Sequence, residues 1–560
     1  MLYLENAENL SGIFAAEYML VLAAVSIVNL LLALFLSRKF MQVLQQSGYV
    51  VSEYDRWLYR RGNIYVTRLW MLVLLSILSY LAVSYAFSFI ESSAVMFAAF
   101  LFYVLFIALF IRSDYKRKEK LPLKLTKRAT RLFITFAVLY FIFTYALLIV
   151  CNIIGFYIKP YPLVMRIRFI LLCITPVYIP LTVKLAALIN SPIERLINKK
   201  YVDDCKKKLA DYKGLIKIGI TGSYGKTGVK EILKTILSEK YKVLATPSSY
   251  NTPMGICKTV NELNSSYDVF IAEMGARHVG DIKELCDIVQ PSYGIINGII
   301  EHHLETFRTL ENVKKTKAEL IEGVGGGTII LTCDNETTLS LASDNSEKDV
   351  ILAGTNVSAD PSVYATDIKI TKTGSSFTLN LFGESLEVST TLLGSHNISN
   401  ICLAAALCSR LGLSGEEIAA GISRTRPIEH RLEVTKGENG VTVIDDSYNA
   451  NSSGTIAALE ILSLFEGRKI IVTPGMVELG RKQKSENAEF GKRLAKVVDY
   501  AILVGAYNAY TLRDGMLSSS FPLDKIFIAK DLEEAKSHLK EIGKEGDVVL
   551  FENDLPDKFD

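Results

Sequence analysis

The densest chemistry in the sequence is the run Gly219-Ile-Thr-Gly222-Ser-Tyr-Gly225-Lys226-Thr227. Glycines at 222 and 225 let backbone N–H groups close around phosphate oxygens, and a helix starting there adds positive potential. Lys226 would reach the terminal phosphates and Thr227 would hold Mg²⁺. The strict Gly-x4-Gly-Lys-Thr spacing is not kept, because position 220 is Ile. The flanks supply the context such a loop needs: residues 215–220 read as a short buried strand, and 229–237 as a helix. Strand and helix patterns then alternate, with strands at 269–273, 293–296 and 328–332 and helices near 281–289 and 311–322. That pattern predicts a parallel sheet wrapped by helices, with its active site at the carboxyl ends of the strands. Glu273 closes one strand and His303 lies just beyond another. An acid and a histidine at such ends suit Mg²⁺ and phosphate chemistry.

Two further α/β stretches follow. One runs from about 356 to 453, with strands near 377–382 and 441–444 and a small-residue helix after Gly394-Ser-His-Asn-Ile-Ser-Asn400. The next begins near 469, with a buried strand at 470–473, a turn at Pro474-Gly475, and strands at 501–504 and 548–551.

The first ~190 residues are different in kind. Five apolar runs, 18–36, 69–90, 94–111, 132–154 and 169–188, each approach the roughly 20 residues that cross a bilayer. Basic residues cluster after the first run, between the third and fourth (Arg112 to Arg131), and after the fifth, which predicts the N-terminus outside and everything after ~190 in the cytoplasm. Arg166 and Arg168 break this alternation, and Lys184 lies inside the fifth run. The basic run before residue 131 would lie against anionic lipid.

The whole chain of 560 residues is 50% hydrophobic and 22% charged, too apolar for a purely soluble enzyme. A net charge of +3 gives no nucleic-acid footprint. Eight scattered cysteines, none in a Cys-x-x-Cys pair, imply reduced thiols rather than a disulfide framework or a zinc site.

From about residue 215 onward the chain resembles the Mur ligases, the enzymes that build the peptide of bacterial peptidoglycan, and most closely their D-alanyl-D-alanine-adding members. The loop matches the family's Gly-x-Thr-Gly-x-x-Gly-Lys-Thr, so Gly222, Gly225, Lys226 and Thr227 inherit ATP and Mg²⁺ binding. The resemblance makes Glu273, in Ala272-Glu-Met-Gly275, a metal ligand and His303, in Glu301-His-His-Leu304, another. Lys317, in Thr316-Lys-Ala-Glu319, corresponds to a lysine that is usually carbamylated and helps hold a second Mg²⁺. Asn400 falls on the adenine-contacting segment, Arg431 on the ATP phosphates, and Asp446, in Asp445-Asp-Ser-Tyr448-Asn-Ala-Asn451, near the ribose. Lys226, Lys317, His303 and Arg431 inherit the catalytic roles.

Three departures matter, one of them modest: the family's Asn-x-Asp near the end of the central domain is Thr332-Cys-Asp334 here. The family's N-terminal uridine-nucleotide domain has no visible counterpart, and apolar spans occupy its place, so the carrier of the substrate is expected to be a lipid or a glycan at the inner leaflet. The family's C-terminal Lys-Gly-Ser appears as Glu552-Asn-Asp554. That reverses a charge where the incoming amine's carboxylate would bind, and favours an amine without a carboxylate or with a positive charge. The expected fold is an α-helical transmembrane domain, then a parallel-sheet P-loop ATPase-type central domain and a smaller Rossmann-like α/β domain. The expected boundaries are 1–190 for the membrane domain with about five helices, 191–213 for a linker, 214–425 for the central domain and 426–560 for the C-terminal domain. The expected activity is ATP- and Mg²⁺-dependent ligation, with two ions, of a carboxylate-bearing, lipid-linked or membrane-proximal envelope precursor to an amine or amino acid. Alternatives are the ordinary D-alanyl-D-alanine step on a membrane anchor, and an inactive nucleotide-binding scaffold. Partners are ATP, these substrates and membrane lipids, without nucleic acid.

Overall fold

The computed structural model describes residues 16–60, 63–86, 92–115, 121–157, 161–248, 250–301, 304–448, 452–477 and 479–554. The chain forms two compact units, one built mainly of Met1–Ile197 and the other of Asn198–Leu555.

In the first unit, four helical stretches are long and apolar enough to cross a membrane: Met19–Gln46, Ile64–Val83, Lys127–Ile154 and Arg166–Asp211. The run at 94–111 falls within the helix Ser92–Tyr115, where the described apolar stretch, Phe100–Ser113, is shorter. The run at 169–188 is not one straight helix, because a 3₁₀ turn at Thr175–Tyr178 interrupts it. Pro176 and Pro180 supply the reason, since neither can donate a backbone N–H.

Polar side chains tie these helices together where apolar contact alone gives little preference. Asn29 Nδ2 donates to Thr175 Oγ1 at 2.9 Å, and Tyr103 OH donates to Asn29 Oδ1 at 2.9 Å. Lys184 pairs with Asp55 at 2.7 Å, and Arg168 Nη1 donates to Asn152 Oδ1 at 2.8 Å, so both have protein partners. Arg131 reaches the buried Glu194 at 2.7 Å. Of the basic stretch, residues 116–120 lie outside the described residues, while Gln42 and Gln45 hold the carbonyls of Leu121 and Lys124.

The second unit holds two sheets. The first contains β1 (Ile216–Thr221), β2 (Val243–Ala245), β3 (Val269–Glu273), β4 (Tyr293–Ile296), β5 (Thr328–Thr332), β6 (Val350–Gly354), β7 (Val363–Thr371), β8 (Gly374–Leu381) and β9 (Glu384–Thr390), in the order β2-β3-β1-β4-β5-β6-β7-β8-β9. Strands β1 to β7 pair in parallel, and β7 to β9 form an antiparallel meander. The second sheet contains β10 (Glu433–Lys436), β11 (Thr442–Asp446), β12 (Lys469–Thr473), β13 (Tyr500–Val504), β14 (Ile526–Ala529) and β15 (Val548–Glu552), in the order β10-β11-β15-β12-β13-β14. Both sheets are parallel-rich and mixed. Every residue of β3 and β5 is buried, as expected where helices cover both faces.

The stretch read as one unit from 356 to 453 is instead divided: β7–β9 extend the first sheet, and β10–β11 begin the second. The short turns between β7, β8 and β9 allow direct antiparallel pairing, which needs no crossover helix.

At the end of β12, the chain turns through Pro474-Gly-Met476. The fully buried Asn487 holds it, accepting from Met476 N at 2.9 Å and donating to Met476 O at 3.0 Å. Asn487→Leu would leave that N–H without this acceptor. The expected cost is about 2 kcal/mol, read as a lower urea midpoint in the detergent-purified protein.

Candidate active site

Strand β1 lies between β3 and β4, and the chain crosses from β3 on one side of it to β4 on the other, so the carboxyl ends of these strands bound a crevice. The loop 222–225 follows β1 into it, and the helix Lys226–Leu237 starts there. Gly225 caps that helix at φ 70°, and a Cβ added to it would lie 2.2 Å from Asn297 Nδ2. Glycine is therefore required twice, by backbone conformation and by space. Lys226 Nζ donates to the carbonyl of Gly222 at 2.8 Å, bridging the two ends of the loop.

Glu273 is buried in the crevice, 1% exposed. Its Oε2 accepts from Thr227 Oγ1 at 2.9 Å and lies 3.3 Å from Lys230 Nζ, while Oε1 accepts from Asn251 Nδ2 at 3.0 Å. Lys230 is fully buried and also donates to the Ser248 carbonyl.

A cavity of about 470 Å³ opens over these groups and is lined by loop 222–227, Glu273, Lys317, Arg431 and Tyr448, among others. Four lysine and arginine residues, Lys226, Arg277, Lys317 and Arg431, thus line one space. Burial holds the Lys317 amine well below the usual lysine range, and Lys226 adds to the fall against Asp281 and Glu319. Burial likewise lowers Lys226, with Arg431 adding and Glu273 opposing. Such an arrangement can take up a polyanion and spread its charge over fixed positive groups. Glu319, two residues beyond Lys317, accepts the N–H groups of Gly280 and Lys283 at 2.8 and 2.9 Å, and so fastens the helix Leu310–Val324 to the start of Asp281–Val289.

A second cavity of about 380 Å³ shares Tyr224, Gly225 and Arg431 with the first, and is also lined by His396, Asn400 and Asp446. The cation Arg431 therefore sits where a phosphate chain would pass from one cavity to the other. Its guanidinium lies 4.3 Å from the centre of the Tyr448 ring.

Sequence reasoning thus gathers Gly222, Gly225, Lys226, Thr227, Glu273, Lys317, Arg431, Asn400 and Asp446 around two adjoining cavities. His303 lies outside the described residues, as do Asn449 to Asn451 and Glu478. Asn400 is largely committed to the loop, for its Oδ1 accepts from Asn297 Nδ2 at 2.7 Å. The buried Nδ1 of His396, a residue that lines this cavity, has no hydrogen-bond partner among the described residues. Burial and Arg431 push its imidazole down to about 4, so it is neutral at pH 7. The sequence reading missed Lys230, Asn251 and Asn297. Lys230 had a signal, standing one helical turn after Lys226.

The expectation for Glu552 is corrected. It is 1% exposed and lines neither cavity, because β15 is an interior strand between β11 and β12.

Among the described residues, no group of three or more His, Cys, Asp or Glu side chains could hold a metal alone. The oxygen donors of Thr227 and Glu273 suit a hard cation such as Mg²⁺, which keeps water and substrate phosphates as its other ligands.

Comparison with known proteins agrees with this architecture. Residues 220–408 match the Mur ligase middle domain, and 430–552 match the Mur ligase, glutamate ligase domain. The chain is 30% identical over 329 residues, 57% of its length, to the UDP-N-acetylmuramoyl-tripeptide--D-alanyl-D-alanine ligase of Escherichia coli, covering 73% of that protein. It is similar to a MurF crystal structure from Acinetobacter baumannii, at 26% identity and a TM-score of 0.58, over 64% of this chain and 77% of that one. It is also similar to the MurF ligase from Thermotoga maritima in complex with ADP, at 25% identity and a TM-score of 0.56, over 64% of this chain and 80% of that one. The fold and site define an ATP-dependent amide-bond ligase. The chain belongs to the Mur ligase family.

Lys230→Met tests the packing of the site. It leaves Glu273 short of its buried cation and the Ser248 carbonyl short of a donor. The expected loss is about 3 kcal/mol of stability, read as a lower melting temperature in detergent.

Proposed function

We propose that this protein is a membrane-held ligase that joins a carboxylate to an amine through an acyl phosphate, on a lipid-linked or membrane-proximal envelope precursor. The observation that carries the ligase reading is the single cavity in which Lys226, Lys317 and Arg431 face the loop 222–227 beside the Thr227–Glu273 bond. The carboxylate oxygen attacks the γ-phosphorus of ATP, and the bond to the β-phosphate oxygen breaks, releasing ADP. The amine nitrogen then attacks the acyl carbon, losing a proton as inorganic phosphate leaves.

In this reading Gly222 and Gly225 open backbone N–H groups to the phosphates, and Lys226 and Arg431 offset charge on the γ-phosphate. Thr227, Glu273 and His303 would hold Mg²⁺, and Lys317, as its carbamate, would help hold a second ion. When bound, the ions offset phosphate charge. Asp446 faces the ribose, and His396 and Asn400 flank the base.

The apolar helices preceding the family's middle domain support the membrane reading. We propose an N-terminus outside, catalytic domains in the cytoplasm, and divisions near 190, 213 and 425. A second reading has a specific support: relatives such as the Escherichia coli protein carry the name of the soluble uridine-nucleotide step. In that case the helices only anchor the enzyme.

Phosphate release by the purified full chain with Mg²⁺·ATP separates the two. One arm supplies membrane lipid fractions and a panel of amines, the other UDP-N-acetylmuramoyl-tripeptide and D-alanyl-D-alanine. Turnover confined to a lipid fraction is the expected result, and turnover with the soluble pair alone would overturn the lipid carrier. In the productive arm, Lys317→Ala is expected to lose most activity, at least about 100-fold, without rescue by bicarbonate. Full activity would remove the metal-holding role of Lys317.

A further inference from the structure

Strands β11 and β15 run parallel, and their register sets Asp446 directly beside Glu552. In-register parallel neighbours project to the same face of a sheet. Glu552 is 1% exposed, and neither of its carboxyl oxygens receives a hydrogen bond from a donor group, while its side-chain neighbour is the Asp446 carboxyl. Asp446 reaches the second cavity, whereas Glu552 does not.

The surroundings leave Glu552 little but Asp446 to bond. Leu432 N–H donates to the Asp446 carboxylate, and Arg431 is the cation that favours its charge. Asp445 repels Asp446 but is itself held by His430 Nδ1 at 2.7 Å. Asn553 is used elsewhere: its N–H donates to the Asp446 carbonyl at 3.1 Å, and its side chain donates to Gly475 O at 2.6 Å. The helix Ser452–Ser463, packed on β15, carries one charged residue, Glu460, which is exposed. Two adjacent buried carboxylates cannot both ionise cheaply, so one retains a proton.

We propose that Glu552 is a positioning residue for the nucleotide, its carboxylic acid O–H donating to Asp446 and fixing the carboxylate that faces the second cavity. Burial pushes both groups above the usual carboxylate range, and Asp446 raises Glu552 further. The inference rests on the reading that Asp446 contacts the nucleoside. The sign follows: binding is intact while the shared proton is held, and weakens as rising pH removes it and the two carboxylates repel.

The test is ADP affinity of the full detergent-purified chain between about pH 7 and 9, for the wild type, Glu552→Gln and Asp446→Asn. Gln keeps a donor at every pH. Wild-type affinity is expected to fall about fivefold or more across the range, while Glu552→Gln binds like the wild type at pH 7 and stays flat. Asp446→Asn is expected to bind about tenfold more weakly. If Glu552→Gln keeps the wild-type pH slope while Asp446→Asn weakens binding, the shared proton is wrong and the nucleoside reading stands. If Asp446→Asn binds like the wild type, the nucleoside reading fails and the inference with it. Melting temperature gives an independent check on the pair: Glu552→Gln should gain stability over the wild type at high pH and not near pH 5, and an equal difference at both would count against the shared proton.

Discussion

A buried carboxylate at the end of β3 organises the soluble unit. Glu273 gathers Thr227 from the phosphate loop, Lys230 from the next turn of the same helix and Asn251 from the segment after β2. An unpaired charge at that depth would cost several kcal/mol. Each of these bonds offsets that cost, and together they draw the helix Lys226–Leu237 and the segment after β2 to the end of β3. The strand order β3-β1-β4 then puts Asn297 against Gly225, so the loop, the oxygens of Thr227 and Glu273 and the adjoining cavities are set by one packing solution.

The same crevice concentrates positive charge. Lys226, Lys317 and Arg431 share one cavity, and burial lowers the two lysines. Lys226 and Arg431, as preorganised cations, are costly in the free protein and useful when phosphate arrives, because their reorganisation is already complete, whereas a carbamate on Lys317 would offer negative charge to an ion. Arg431 lies on the segment leading into β10, so the second sheet supplies a group to both cavities.

Much of this was legible in the sequence where a residue's surroundings are local. Strands 269–273, 293–296 and 328–332 stand where the apolar runs place them, because strands buried on both faces need continuous apolar side chains. The phosphate loop was legible because its glycines serve backbone geometry. The meander β7–β9 was misassigned because its strands alternate buried and exposed residues and pair by hairpins, a pattern that does not say which sheet they join. The interruption at Thr175–Tyr178 had a signal in Pro176 and Pro180, outweighed by the apolar run around them. Glu552 was misread because it was placed by its match to the family's Lys-Gly-Ser, which says nothing of its neighbours across the sheet. Only the order β11-β15-β12 reveals that it is buried against another acid.

The central claim is that Glu273, set by its buried partners, couples metal to nucleotide. The most direct test is ADP binding to the purified full chain with and without Mg²⁺, for the wild type and Glu273→Gln. The account predicts that Mg²⁺ tightens binding in the wild type and that Glu273→Gln, with its loop intact, binds ADP but loses most of that enhancement. An undiminished Mg²⁺ effect in Glu273→Gln would contradict it.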